Sequence, residues 1–492
     1  MKIIDRLLVI LVLLYLSLFI YPFAGITNIA GPTVGLFFII FLRYFAEKHS
    51  FLENSIVMRV RGIREHSFVF VSIAVLFLAL SSISIARHLA LASGSSDLGI
   101  FDQAIWNTAQ GDILFSSLKG NINLLGDHFE PILLLIAPIY KIWPNPAVLL
   151  LLQSFLLATA VIPLYLIAKL KLKERLLVFA FIIAYVLSKP LRGVAFSDFH
   201  PECFMVPLLF WAYYFLVQKR NVFLFGSLLL LLACKEDTAF LVGGLGIFAL
   251  FPLKRFKLGF GLIILSIFAW VLSTMVIIPY FNAQHVYPYM NRLAENIMCN
   301  PLSLGNLFLD KARVAYLLKM FGPLGFLSLF SPQHYILFAI PLLKNLAASD
   351  SFSGFYNITS HYTAGIIPFL YISAIYAAGW ILEKIRLQKI VAFMAFFIIL
   401  SSLLFYGKTD SHKFARFMAE IRNKCTLQKL AYLKQVPAGV SVSTNFNLVP
   451  HLSQRKYIFE WSHLRYGKTR YSKEIRCYCR FRRHWRISGY SG

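Results

Sequence analysis

Apolar runs long enough to cross a bilayer recur from Leu7 to Tyr406, and they constrain the chain more than any other feature. A backbone inside lipid must satisfy every amide within its own segment or in a closed barrel. No segment shows the roughly ten-residue alternation of a membrane barrel, so the runs are expected to be helices. A content of 58% hydrophobic and 14% charged residues with mean hydropathy +0.68 excludes a soluble enzyme with one anchor, a disordered chain and a fibrous repeat. The expected class is an all-α polytopic membrane protein. Spans are placed at 6–22, 29–46, 67–86, 147–168, 175–193, 203–217, 222–234, 238–252, 258–280, 313–330, 332–346, 361–381 and 390–406, about thirteen in all. Met1 to Tyr21 resembles a signal peptide but lacks a small-residue cleavage site, so it is read as a retained helix.

Loop charge gives the orientation. With the N-terminus cytoplasmic, the cytoplasmic loops hold 19 Lys/Arg against 6 Asp/Glu, and the opposite loops before the tail hold 11 against 12. This alternation requires that Pro131 to Trp143, broken by Pro138, lie at the outer interface instead of crossing. Three regions follow: an N-terminal hairpin with a basic loop (1–66), a transmembrane core (67–406) and an external basic tail (407–492). The tail carries 18 Lys/Arg and 4 Asp/Glu, which long translocated segments tolerate. Within it, 427–459 reads as a strand and loop. The stretch after Trp461 has nine basic residues and one acidic, and reads either as a binder of anionic lipid or polyanions or as a truncated or frameshifted end. The six cysteines form no zinc spacing, and no glycine-rich phosphate loop, GxSxG, HExxH or CxxC occurs.

The polar residues collect in the external loops. In the first, Asp97 precedes Gly99 to Thr108, where Ile100, Ala104, Ile105 and Trp106 oppose Asp102, Gln103 and Asn107 with helical spacing. Asp97 could therefore cap that helix, a role worth about 0.5–2 kcal/mol, or stand as a base or metal ligand at the membrane's outer face. Asp127-His128 is either a solvated turn or a pair that ligates a divalent cation or orients a hydroxyl. Asp198, His200 and Glu202 lie at another helix end. Lys235-Glu236-Asp237 interrupts two apolar runs, as a solvated turn or as the lining of a polar cavity. Lys344, His361 and Tyr362 complete the candidates, as snorkelling groups or as a phosphate site.

The segments DLGIFDQAIWNT (97–108), GDHFEPILLLIAPIY (126–140), DFHPE (198–202), KED (235–237) and HYTAGIIPF (361–369) resemble the domain-of-unknown-function 2079 family of predicted membrane proteins. That family more distantly resembles the GT-C superfamily of membrane glycosyltransferases, whose first external loop carries an acidic motif and then an amphipathic helix. The resemblance implies a GT-C-like helical bundle that transfers a sugar from a polyprenyl-phosphate donor to an acceptor on the external face, often with a divalent metal such as Mg or Mn. It implies Asp97, Asp127 and His128 as the catalytic group and Asp97 and Asp127 as metal ligands. Asp102, Asp198, His200, Glu202, Lys235, Glu236, Asp237, Lys344, His361 and Tyr362 would meet the substrates. GT-C enzymes commonly carry two adjacent acids, whereas Leu98 follows Asp97 here. A transporter or lipid flippase, or a non-catalytic scaffold, is the competing expectation. The lipid bilayer is the expected partner, and no nucleic acid.

Overall fold

The computed structural model describes residues 63–289, 310–348, 352–385, 389–407 and 409–461. The expected spans at 6–22 and 29–46 and the basic end after Trp461 lie outside these residues. Helix α1 (Glu65–Leu89) is followed by a π turn (Ser95–Gly99) that runs into α2 (Ile100–Gln110). Two-residue strands β1 (Phe115–Ser116) and β2 (Ile122–Asn123) pair antiparallel, and the short α3 (Ala137–Ile142) follows. Next come α4 (Ala147–Thr159), α5 (Val161–Lys171), α6 (Arg175–Val186), α7 (Lys189–Phe196), α8 (Met205–Val217), α9 (Asn221–Leu232), α10 (Thr238–Leu250), α11 (Phe256–Val271) and α12 (Ile278–Phe281). The chain continues through α13 (Lys311–Phe321), α14 (Tyr335–Leu346), α15 (Ile367–Lys384), α16 (Lys389–Tyr406), α17 (Thr409–Ile421) and α18 (Lys424–Leu433). Strands β3 (Val442–Thr444) and β4 (Ile458–Glu460) pair in parallel.

Among the described residues five helical stretches are long and apolar enough to cross a membrane: Glu65–Leu89, Ala147–Lys171, Arg175–Phe196, Phe256–Phe281 and His361–Lys384. A sixth arises if Ile390–Tyr406 and Ser411–Ile421, bent by 46°, form one span. Proline divides two of these stretches. Pro163 cannot donate to Thr159, and Pro190 cannot donate to Val186, so the α4/α5 and α6/α7 boundaries fall where a helical hydrogen bond is missing. Three expected spans emerge as shorter apolar helices, Pro201–Val217, Asn221–Leu232 and Thr238–Leu250. At 12–13 regular residues, α8, α9 and α10 each measure about 18–20 Å, less than the hydrocarbon core. The expected span at 313–330 breaks into turns after Phe321, where Gly322-Pro323 cannot continue a helix. Residues 131–142 form turns and a short helix that is too short to span.

The amphipathic reading of α2 needs correction. Asp102, Gln103 and Asn107, the polar side of that pattern, are all fully buried. The segment carrying β3 and β4 covers that face: Gln103 donates to the carbonyls of Arg455 (3.2 Å) and Lys456 (2.9 Å), and Ser453 donates to Asp102 (2.6 Å). Phe446 lies against Gly94, where a Cβ would stand 2.3 Å from its ring. The tail is thus a clamp over the first acidic loop.

Candidate functional site

The site is assembled where four helical stretches end. Arg87, at the end of α1, and the amide of Gly94 both donate to the Asp198 carboxylate, at 3.1 and 3.0 Å. From α4, the Gln153 amide donates to the Asp198 carbonyl (2.9 Å) and accepts from the His200 amide (3.1 Å). Asp198 takes a positive φ of 64°, and together these bonds fix the turn that follows α7. His200 is thereby placed with Nε2 3.2 Å from Asp97 Oδ1. Asp97 therefore does not cap α2: the residue before that helix is Gly99, and no side chain caps it. Pro201 opens a short turn (Pro201–Phe204) that leads into α8 and buries Glu202.

The Lys235-Glu236-Asp237 turn is a hub in which each consecutive side chain engages a different part of the fold. Lys235 binds Glu202 at 2.6 Å, Glu236 binds His128 Nδ1 at 2.8 Å, and Asp237 pairs with Lys344. The solvated-turn reading fails, because Glu236 is buried and the Lys235 side chain is only 12% exposed behind these partners. Glu236 also accepts from the amide of Phe129 (3.0 Å) and from Tyr287 (3.1 Å). Asp127 binds Lys119 at 2.6 Å and accepts from Tyr289 at 2.8 Å, while the Tyr289 ring stacks on His128 at 4.5 Å. On the other side, His361 stacks on His200 at 3.7 Å and lies 3.8 Å from Glu202. That approach needs a glycine in α7: a Cβ on Gly193 would come within 2.2 Å of the Ile358 carbonyl.

Beside the hub opens a cleft of about 460 Å³, part of it open to solvent. Glu202, Asp237, Lys344, His361 and Tyr362 form its polar end, and Met205, Phe240, Leu241, Ile340 and Pro341 its apolar wall. Lys344 and Lys235 lie 5.7 and 5.9 Å from the stacked rings of Phe355 and Tyr362, respectively. Lysine ammonium groups at such range gain from the ring quadrupole as well as from their carboxylates.

Burial disfavours each charge here, and the partner decides the outcome. For Asp97, the neighbouring His200 outweighs burial and holds the carboxyl below its usual value, while Asp97 in turn raises His200. Lys235 holds Glu202 well down against burial and is itself held well up by it. His128 brings Glu236 to about 2 despite burial, and Glu236 raises His128. Asp198 moves the other way: burial outweighs Arg87 and raises it.

The structure thus gathers Asp97, His200, Glu202, Lys235, Asp237, Lys344, His361 and Tyr362 into one connected cluster. Asp127, His128 and Glu236 join it through the hub. Asp102 is not brought to the cleft: it is fully buried under the clamp and accepts from Tyr140 (2.6 Å), Ser453 and Gln454 (3.3 Å). Asp198 holds backbone in place. The expected metal pair does not fit either, because Asp127 already faces an ammonium group and Asp97 an imidazole. Among the described residues no group of three or more His, Cys, Asp or Glu could hold a metal ion. Sequence reasoning passed over Glu130, Gln153, Tyr287 and Tyr289 as site residues. Only Glu130 carried a signal, as the last acid before Pro131 in the first loop.

No curated protein matches this chain. The family described as a predicted membrane protein, domain of unknown function 2079, matches residues 87–475, which includes the first acidic loop, the hub and the clamp, and the chain belongs to that family.

Proposed function

We propose that this protein is a multi-pass membrane glycosyltransferase that moves a sugar from a polyprenyl-phosphate donor to an acceptor on the external face. The observation that carries the reading is the cleft itself, with the ion-paired Lys344 and His361 at its polar end, Lys235 behind Glu202, and an apolar wall beside them. Such a cleft suits a ligand that is a phosphate at one end and a hydrocarbon at the other. In this reading the shorter apolar helices join the longer ones in a GT-C-like bundle, with the N-terminus cytoplasmic and the clamp external.

The acceptor hydroxyl attacks the anomeric carbon, the new C–O bond forms, and the bond to the phosphate oxygen breaks with its electron pair leaving on the polyprenyl phosphate. Asp97, with its side chain 39% exposed, takes the hydroxyl proton. Since His200 makes Asp97 a weak base, proton transfer is late, when bond formation has made the hydroxyl acidic. Lys344 and His361 meet the developing phosphate charge, with Lys235 behind them. No step runs through a metal.

The test is Asp97→Asn in the full chain reconstituted in bilayers with a polyprenyl-phosphate sugar. Transfer should fall by about 10²–10⁴ while donor binding and melting are retained. Transfer at the wild-type rate would remove Asp97 as the base. A transporter or flippase would move the lipid with no glycosidic bond made in either protein. Cysteine labelling at Ser95 and Lys171 checks the sidedness, since the two must react from opposite faces.

A further inference from the structure

Glu130 lies beside the hub but is not used by the mechanism above. It is only 4% exposed, and among the described residues its carboxyl has no hydrogen-bond or ion-pair partner. The Ile132 amide donates to the Ala233 carbonyl at 2.9 Å and so sets the Glu130 loop against the end of α9; the charged and titratable groups around it are His128 from its own loop, Lys235 and Glu236 from the turn between α9 and α10, and Glu202 from the start of the α8 stretch. The local charges do not balance if every acid ionises. Lys235 is matched by Glu202 at 2.6 Å and His128 by Glu236 at 2.8 Å, which leaves a third carboxyl with no cation of its own. A lone carboxylate in so little solvent costs far more than the neutral acid.

We propose that Glu130 is a positioning residue that stores one exchangeable proton beside the cleft and thereby sets the charge that a phosphate ligand meets. As the neutral acid it leaves Lys235 paired with Glu202, 5.9 Å from the Tyr362 ring in the cleft wall. Once ionised it competes for Lys235 and adds a negative charge next to the phosphate end. The balance supports this: burial, reinforced by Glu202 and Glu236 and only partly opposed by His128 and Lys235, pushes Glu130 up to about 7. Its proton is therefore held below neutral pH and released above it. The inference rests on the phosphate-site reading for its consequence and on the side-chain cluster for its chemistry.

The experiment uses the full chain in nanodiscs, wild type against Glu130→Gln, with two independent readouts. Infrared difference spectra across a pH titration should show a protonated-carboxyl band that disappears near neutral pH in the wild type and is missing in the variant. Binding of farnesyl methyl phosphodiester, whose own charge is constant in this range, should weaken about tenfold from about pH 6 to about pH 8 in the wild type and by less than about twofold in the variant. An unchanged pH profile in the variant, or no carboxyl titrating near neutral pH, overturns the proposal. If the phosphodiester fails to bind the wild type at any pH, the phosphate-site reading falls, while the infrared band still decides whether Glu130 stores the proton. Should Glu130→Gln not fold, Glu130→Asp replaces it: a shifted carboxyl titration supports the proposal, and an unshifted one overturns it.

Discussion

The two ends of the helical bundle are both held by ion pairs, but their surroundings differ. At one end Glu65 binds Lys169 and Arg175, each at 2.6 Å, and Lys171 binds Glu383 at 2.8 Å, with Lys169, Arg175 and Glu383 44–65% exposed. At the other, Lys235, Glu202 and Glu236 have side chains 12% exposed or less, and they form a linked network beside a cleft. Pairs of the first kind are screened by water and contribute little. Those of the second kind hold charge where it is costly, so the loss of any partner exposes that cost. A bundle needs only the first arrangement to close its helix ends; the second is what a site that handles charge requires.

Three changes break or sharpen this contrast. Lys235→Met should have the largest effect, because it strands the Glu202 carboxylate in a buried position. A loss of about 3–5 kcal/mol is expected, read as a fall in the melting temperature in detergent. Adding Glu202→Gln should restore part of it. A single variant that melts like one at the exposed end would remove the distinction.

Next comes the clamp. His451 stacks on His88 at 4.0 Å and contacts the His88 carbonyl at 3.1 Å. Burial lowers His451 to about 4 from an ordinary 6.5, so the folded protein refuses a proton that the unfolded chain accepts. Stability from this residue is complete above pH 6.5 and is lost as pH falls towards about 4, by at most about 3 kcal/mol. In His451→Phe the dependence of melting on pH should flatten across that window; an unchanged slope would show that another group is responsible. The smallest effect belongs to Glu383→Gln at the exposed end, which should change stability by less than about 1 kcal/mol and leave transfer unaffected.

Particular residues show how far the sequence could be read. Asp97 and Asp102 are five positions apart in one acidic loop, and nothing in their spacing separates their roles. Asp97 reaches His200, whereas Asp102 is sealed by Ser453, 351 positions away. The Lys235-Glu236-Asp237 turn was legible as an anomaly, since three charges between apolar runs need an explanation. Its three partners were not, because Lys235 pairs across 33 positions, Glu236 across 108 and Asp237 across 107. Tyr287 and Tyr289 gave no signal at all, being ordinary tyrosines until the fold sets them against Glu236 and Asp127.

What the sequence determined by itself is local: helices, because lipid leaves the backbone no other way to satisfy its amides, and breaks, because proline removes a donor wherever it falls. The same local periodicity overstated the spans, reading 313–330 as one helix where Gly322-Pro323 turns the chain. Only tertiary packing decided which acids are ionised, which are sealed and which face a cleft. Those outcomes depend on burial and on the nearest opposite charge, and both are supplied by segments far away along the chain.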